Sequence, residues 1–218
     1  GVGFKLAQAY TEQFNLPKEN LLPLLDLVAV SIAADIVPIT GENRILAAVG
    51  LARLNSEPRL AFQQLIPANI RRNVNISNVV FSIAPKINAA GRIKHGSEAV
   101  HFMLSQDEEE CKKYLNDINS LNNERKLIDV DITESALQQL HKINTNDNYS
   151  TIVYDPTWNK GVIGIVASRL VDMYYKPTIV FTQNNEGEIV GSARSVQGFD
   201  IHSAIAKNES LLTQYGGH

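Results

Sequence analysis

Ser192 and Arg194 stand two residues apart in the segment Gly191-Ser-Ala-Arg-Ser. On a strand such residues share a face, so a hydroxyl and a guanidinium would lie side by side, a good seat for a phosphate or carboxylate. The alternative is a solvated strand edge. Gly191 tips the balance toward a site, because Gly inside a strand often permits close approach. Arg92 closes Ile87-Asn-Ala-Ala-Gly-Arg, where small residues let backbone come near a ligand and the guanidinium can fork onto phosphate. From chemistry alone an ordinary surface arginine beside a turn is the better reading there. Asp35 ends an apolar run, Ser31-Ile-Ala-Ala-Asp-Ile-Val-Pro. Burying a carboxylate is costly unless it is paired or bound to a metal; capping the turn before Pro38 is an equal alternative. One carboxylate cannot hold a catalytic divalent cation alone, and no H-x-x-x-H pair, C-x-x-C or dense Asp/His cluster is present to help it.

Other groups carry weaker signals. Gly161-Val-Ile-Gly opens a helix straight after a strand and loop. Helix N-termini bind anions, but packing of these glycines against a sheet is the simpler use. Tyr154 and Trp158 could stack on a base; Tyr154 is expected in the core, and Trp158, in a loop, is open. His95, His101, His141 and His202 are scattered and are not taken as ligands, while His218 ends the chain after two glycines.

The elements that must position these groups follow from patterning. The chain has 218 residues, 44% hydrophobic and 20% charged, which argues against wholesale disorder. Its 20 Lys and Arg against 23 Asp and Glu give a net charge of −3, so any nucleic-acid binding must come from a local cationic site. A single cysteine, Cys111, excludes an internal disulfide and a Cys-rich zinc site and suits a reducing cytoplasm. No run of 18 apolar residues exists, so no membrane span is expected. The ends, Gly-Val-Gly-Phe and Tyr-Gly-Gly-His, read as those of a piece of a longer protein.

Phe4, Leu6, Ala7 and Tyr10 suit a short amphipathic helix. Leu21 to Ala33 is a buried helix or strand that periodicity does not decide. Thr40 can cap a helix with Ile45, Leu46, Val49 and Leu54 on its apolar side, and Pro58 to Leu65 suits another. Residues 66–80 read as a surface connection, Val79–Ile83 as a short strand and Lys86–Gly96 as a loop. Ser105 and Glu108 form an S-x-x-E capping box. From there Cys111, Tyr114, Leu115, Ile118, Leu121, Ile128, Ile132, Ala136, Leu137 and Leu140 predict one helix approaching 50 Å. Asn144–Ser150 is the linker candidate. Thr151–Tyr154, Gly161–Tyr175, Thr178–Thr182 and Glu188–Ala193 then read as strand, helix, strand, strand. The fold class is α/β, with a mixed sheet confined to the last third.

Taken together, these segments resemble one family. Leu25-Asp-Leu-Val-Ala-Val-Ser-Ile-Ala-Ala-Asp-Ile-Val-Pro followed by Gly-Glu-Asn-Arg resembles the fourth motif of DHH-superfamily phosphoesterases. Ile83-Ala-Pro-Lys-Ile-Asn-Ala-Ala-Gly-Arg, Trp158-Asn-Lys-Gly-Val-Ile-Gly-Ile-Val-Ala-Ser-Arg, Gly191-Ser-Ala-Arg-Ser and Gly198-Phe-Asp resemble the RecJ branch, and Tyr215-Gly-Gly-His resembles the start of the glycine-glycine-histidine motif of the DHH-associated domain. The resemblance implies a 5′→3′ single-stranded-DNA exonuclease of DNA repair and recombination, using manganese or magnesium. It implies Asp35 as a ligand of that metal. Arg92, Ser192 and Arg194, with Asn88 in the same motif as Arg92, are implied at the 5′ phosphate or nearby backbone, and His218 near the substrate. Implied partners are single-stranded DNA with a 5′ end and a single-strand-binding protein or helicase. The implied layout is the C-terminal part of a DHH catalytic domain over 1–80, an arginine loop and long connector helix over 81–148, and a truncated DHH-associated domain over 149–218. Asn159 stands where the family often has His, and the first aspartate motifs and the Asp-His-His triplet are absent, so the chain alone is expected to be inactive. Apolar surface such as Val28, Val30 and Ile32 is expected to lie uncovered and to favour self-association. The rival readings are another DHH phosphoesterase, acting on short oligonucleotides or cyclic dinucleotides, and a non-catalytic single-strand-binding relative.

Overall fold

The computed structural model describes residues 1–142 and 148–217, in two compact units divided at Asn122/Asn123. The first unit is helical. Helix α1 (Val2–Gln13) leads through a 3-10 turn at Lys18–Leu24 to α2 (Leu25–Ala34). Helix α2 is apolar nearly all round and buries Leu25, Val28, Ala29, Val30, Ile32 and Ala33, as a central core helix must. Val28, Val30 and Ile32 are therefore covered, contrary to expectation. The close partner of α2 is α3 (Gly41–Ser56). Gly50 makes the approach possible: a Cβ there would collide with the Leu25 carbonyl oxygen and lie 2.6 Å from the Ala29 Cβ.

Packing through small residues turns other expectations round. Helix α3 buries Ala47, Gly50 and Leu54, which leaves Ile45 and Val49 in solvent. Helix α1 buries Phe4 and Thr11, so Leu6 and Tyr10 are exposed. The short α4 (Leu60–Leu65) sends Ala61, Phe62 and Leu65 into the core. The segment expected as a surface connection is partly internal, since Ile66, Val74 and Val79 are buried. Asn55 makes this possible by pairing with both polar groups of the Val74 backbone, at 2.6 Å to the N–H and 2.9 Å to the carbonyl.

Residues 76–93 are helical, not the expected strand and loop. A reciprocal capping box between Asn75 and Asn78 starts the run. The helix α5 (Ile76–Asn78) continues as a wide π turn over Val79–Ile83 and then as α6 (Ala84–Ile93), with Pro85 in its first turn. Burial of Val79, Ile83, Ala84, Ala89 and Ala90 outweighs the weak helix propensity of Asn88 and Gly91. Helix α7 (Ser97–Leu104) follows.

Helix α8 (Glu108–Lys142) runs 35 residues, about 50 Å at the α-helical rise. Its cap is Asp107 rather than Ser105: the Glu110 N–H donates to Asp107 Oδ2 at 2.9 Å, while Ser105 Oγ donates back to the His101 carbonyl. The expected apolar register holds. Cys111, Ile118 and Leu121 are buried in the first unit and Ile132, Ala136 and Leu140 in the second. Burial, and then the charges of Glu110 and Glu108, push the Cys111 thiol above its ordinary range, which makes it a core residue and not a reactive one. Of the expected linker Asn144–Ser150, residues 144–147 lie outside the described residues.

The second unit carries the sheet. Strands β1 (Thr151–Tyr154) and β2 (Thr178–Gln183) are parallel and joined through α9 (Ile163–Tyr174), and β3 (Ile189–Arg194) returns antiparallel to β2. The short α10 (Ile201–Ala206) begins at Asp200, whose carboxylate accepts from the Ser203 N–H and hydroxyl; these bonds hold its pKa below the usual carboxylate value. The class is α/β with a small mixed sheet, as expected.

A buried carboxylate paired with arginine anchors each unit. Asp26 is fully buried and receives Arg59 through Nε at 2.9 Å and Nη2 at 2.7 Å, while Arg59 also donates to the carbonyls of Pro23 and Met103. In the second unit buried Asp129 of α8 receives Arg169 of α9 at 2.8 Å and Arg125 at 3.4 Å. Arg59→Leu leaves the buried Asp26 carboxyl without its cation, and chemical denaturation is expected to show a loss of about 3–5 kcal/mol, with most of it recovered in the Asp26→Leu/Arg59→Leu double variant. Lys5→Ala, which removes the exposed 2.7 Å pair with Glu42, is expected to change stability by less than about 1 kcal/mol.

Candidate phosphate and nucleic-acid site

The side of the sheet that α9 covers places three sequence signals together. In β3, Ser192 and Arg194 share a face, and Arg194 Nη1 donates to Ser192 Oγ at 3.3 Å. The second residue of α9, Gly164, lies against both: a Cβ on it would stand 2.9 Å from Ser192 Oγ and 3.1 Å from Arg194 Nη2. A hydroxyl, a guanidinium and the first turn of a helix thus converge. Such an arrangement is chemically suited to an anion, because a guanidinium forks onto oxyanions and a helix start carries partial positive charge.

The role of Gly191 is different from the one expected. It pairs with Phe181 across the β2–β3 ladder, and a Cβ there would lie 2.6 Å from that ring. The glycine makes room for an aromatic ring on the opposite face, not for a ligand. Tyr154 is not in the core as expected, and the open question at Trp158 is decided for burial. Trp158 is 6% exposed and Tyr154 41% exposed. The indole is held in by its own backbone, since the buried Thr182 hydroxyl donates to the Trp158 carbonyl at 2.6 Å. Tyr154 sits on the edge strand β1, whose backbone N–H and carbonyl are satisfied by the Gln139 side chain.

In the first unit, Asn88 and Arg92 stand one helical turn apart on α6 and are both exposed. Asp35 is the C-terminal cap residue of α2 and is exposed, so the premise of a buried carboxylate fails. Its carboxylate makes no hydrogen bond or ion pair with another described residue. The backbone around it does the capping: the Ile36 N–H donates to the Ala33 carbonyl and the Val37 N–H to the Ile32 carbonyl, with Ile36 in the left-handed region at φ 51°. A β-branched residue costs about 1–2 kcal/mol there. Val37, packed against Leu25, Val28 and Ile32, holds the turn in place. His218 lies outside the described residues.

Asp26, Arg59, Asp129 and Arg169 went unnoticed as structural determinants in the sequence. The only signal was an isolated Asp inside an apolar stretch, at Asp26. Among the described residues no group of three or more His, Cys, Asp or Glu comes together to hold a metal ion.

Residues 146–218 match the DHHA1 domain family. The whole chain is 38% identical, over 221 aligned residues, to the single-stranded-DNA-specific exonuclease RecJ of Bacillus subtilis (strain 168), of which it covers 27%. To the RecJ of Escherichia coli (strain K12), 97% of the chain is 31% identical and covers 38% of that protein. The crystal structure of RecJ in complex with Mg2+ from Thermus thermophilus superposes on the full chain with a TM-score of 0.84 at 31% identity, over 33% of its own length. A second solved structure, exonuclease RecJ bound to manganese, gives a TM-score of 0.77 and is covered over 54%. The chain thus carries a DHHA1 region at residues 146–218. Along its whole length the chain is similar to RecJ proteins. It spans 27% to 41% of the length of the Bacillus subtilis and Haemophilus influenzae relatives.

Two substitutions test this geometry. Gly164→Ala is expected to separate Ser192 from Arg194 and to lower stability by about 1 kcal/mol, read by thermal and chemical denaturation. Ile36→Gly relieves the left-handed strain and is expected to raise stability by about 1 kcal/mol in the same assay.

Proposed function

We propose that this chain is part of a 5′→3′ single-stranded-DNA exonuclease that hydrolyses phosphodiesters with the help of divalent metal ions, in DNA repair and recombination. The observation that carries this reading is the Ser192–Arg194 pair set against the first turn of α9, in a chain of RecJ type. The relatives it matches are named as single-stranded-DNA-specific exonucleases, and the solved neighbours hold Mg2+ or manganese.

The chemistry of the seat accounts for polarity. A terminal phosphate monoester carries more negative charge than an internal diester, so a guanidinium and hydroxyl at a helix start favour an end over the middle of a strand. Asn88 and Arg92 on the exposed side of α6 offer a second polar surface, suited to backbone phosphates. His218 is proposed near the substrate.

Asp35 is proposed as one ligand of the manganese or magnesium ion. A carboxylate exposed and without a described partner is chemically suited to that role, but a single donor does not make a site for a catalytic divalent ion. The described residues therefore do not by themselves fit the metal. The proposed layout is a DHH part over 1–80, the arginine segment and connector over 81–148, and the DHH-associated part over 149–218. Single-stranded DNA with a 5′ end is the proposed partner, with a single-strand-binding protein or helicase as a protein partner. The proposed location is the cytoplasm. Among the described residues no helix is long and apolar enough to cross a membrane.

The test is nucleotide release from a 5′-phosphorylated single-stranded oligonucleotide with manganese. The 218-residue chain is run beside a form extended to the length of the relatives. The expected outcome is release by the extended form alone, lost on Asp35→Ala. Release by the 218-residue chain would overturn the expectation that it is inactive. No release by either would favour a non-catalytic single-strand-binding relative. In the shorter chain, Arg194→Ala is expected to weaken binding of a 5′-phosphorylated oligonucleotide about 10-fold or more, the loss of a charge-assisted contact.

A further inference from the structure

The first turn of α9 has to be held in place if Gly164 is to meet Ser192 and Arg194. The loop that does this runs from Asp155 to Val162. Its start is a small hydrogen-bonded turn, in which the Asp155 carboxylate accepts from the Thr157 N–H and hydroxyl. Its middle is anchored by buried Trp158, through the Thr182 bond to the Trp158 carbonyl. Its end depends on Asn159. There the side-chain Oδ1 accepts from the Gly161 N–H at 2.8 Å, and the backbone carbonyl accepts from Val162 at 2.9 Å and Ile163 at 3.2 Å. One residue thus meets the N–H groups that lead into the helix.

We propose that Asn159 is a positioning residue, whose side-chain acceptor sets the first turn of α9 against Ser192 and Arg194. The requirement at this position is an acceptor aimed at the N–H two residues on. An amide oxygen meets it at every pH, and a carboxylate meets it when ionised. An imidazole meets it only when neutral, because a protonated Nδ1 is a donor. The same fold contains the imidazole form of this turn: the Ser97 N–H donates to His95 Nδ1 at 3.3 Å, the same two-residue step. Asn and His are therefore interchangeable here in geometry and different in pH behaviour. Asn159 makes the turn insensitive to pH, and His in its place would tie it to imidazole titration near pH 6.5. The charged groups around the turn are Asp155 and Lys160 in the loop and Arg194 across from Gly164; Arg169, further along α9, is paired with Asp129.

The inference rests on the phosphate-seat reading for its DNA readout only, and a second readout is independent of DNA. Amide hydrogen exchange at Gly161 is measured by NMR in the 218-residue chain and in Asn159→Ala, Asn159→Asp and Asn159→His. Asn159→Ala is expected to speed Gly161 exchange about 5-fold, the effect of one lost hydrogen bond. Asn159→Asp is expected to match the original at pH 7. Asn159→His is expected to match it at pH 8 and to match Asn159→Ala at pH 5.5, after correction for intrinsic exchange. The preference for a 5′-phosphorylated over a 5′-hydroxyl oligonucleotide is expected to fall in step. Unchanged Gly161 exchange in Asn159→Ala, or a pH-independent Asn159→His, overturns the role of the side-chain acceptor. Faster exchange with an unchanged 5′-phosphate preference overturns its link to Ser192 and Arg194. No 5′-phosphate preference in the original chain overturns the phosphate-seat reading, and the exchange pattern then decides the hold of Asn159 on the turn by itself.

Discussion

A carboxylate taken out of water must find a cation and enough donors, or the fold around it does not form. Both units of this protein are arranged about that constraint. In the first, Asp26 sits at the start of the most apolar helix, and Arg59 reaches it from the residue before α4. The same guanidinium also takes the carbonyls of Pro23 and Met103, so one side chain ties together three segments distant in sequence. In the second, Asp129 on the long helix holds α9 through Arg169. That contact fixes the body of the helix whose first turn bears on Ser192 and Arg194. The first turn of α9 is therefore supported from two directions, by an ion pair along the helix and by the Asn159 turn at its start.

Glycine serves two distinct ends here, and only coordinates separate them. Gly164 and Gly50 mark close approaches, one to the Ser192 and Arg194 side chains and one to a neighbouring helix backbone. Gly191, adjacent in sequence to Ser192, faces the other way and accommodates the Phe181 ring. A strand alternates faces, so neighbouring residues belong to different environments. Reading a glycine as a sign of ligand approach fails when a cross-strand ring already lies over it.

The long helix, the β-α-β unit and the returning strand were legible because each carries a strong local signal. Ten apolar positions at three- and four-residue steps outline α8, and short β-branched runs bounded by turns outline the strands. The pairing of Ser192 with Arg194 was legible for the same reason, since strand periodicity alone places them on one face. The region 66–96 misled because its signals are compositional. Asn, Gly and charged residues there suggest loop, but Ala84, Ala89 and Ala90 present a buried small-residue face that only the surrounding core reveals. At Asp35 local signals left burial and a turn before Pro38 equally open; the helix ends there and turns the residue outward.

The sequence by itself determined the fold class, the order of the sheet elements, the register of α8 and the juxtaposition of Ser192 with Arg194, because each is a property of local periodicity or of a short contiguous motif. Only the tertiary structure decided which apolar residues are covered. Val28 and Val30 are inside, while Leu6, Ile45 and Val49 are outside, because α3 meets α2 through Gly50 and buries Ala47 and Leu54, and α1 turns Phe4 and Thr11 inward. It likewise decided that Trp158 is core and Tyr154 is edge, and that Arg59 and Arg169 are structural cations. These outcomes depend on partners tens of residues away, and long-range packing and charge pairing leave no periodic trace in a single chain.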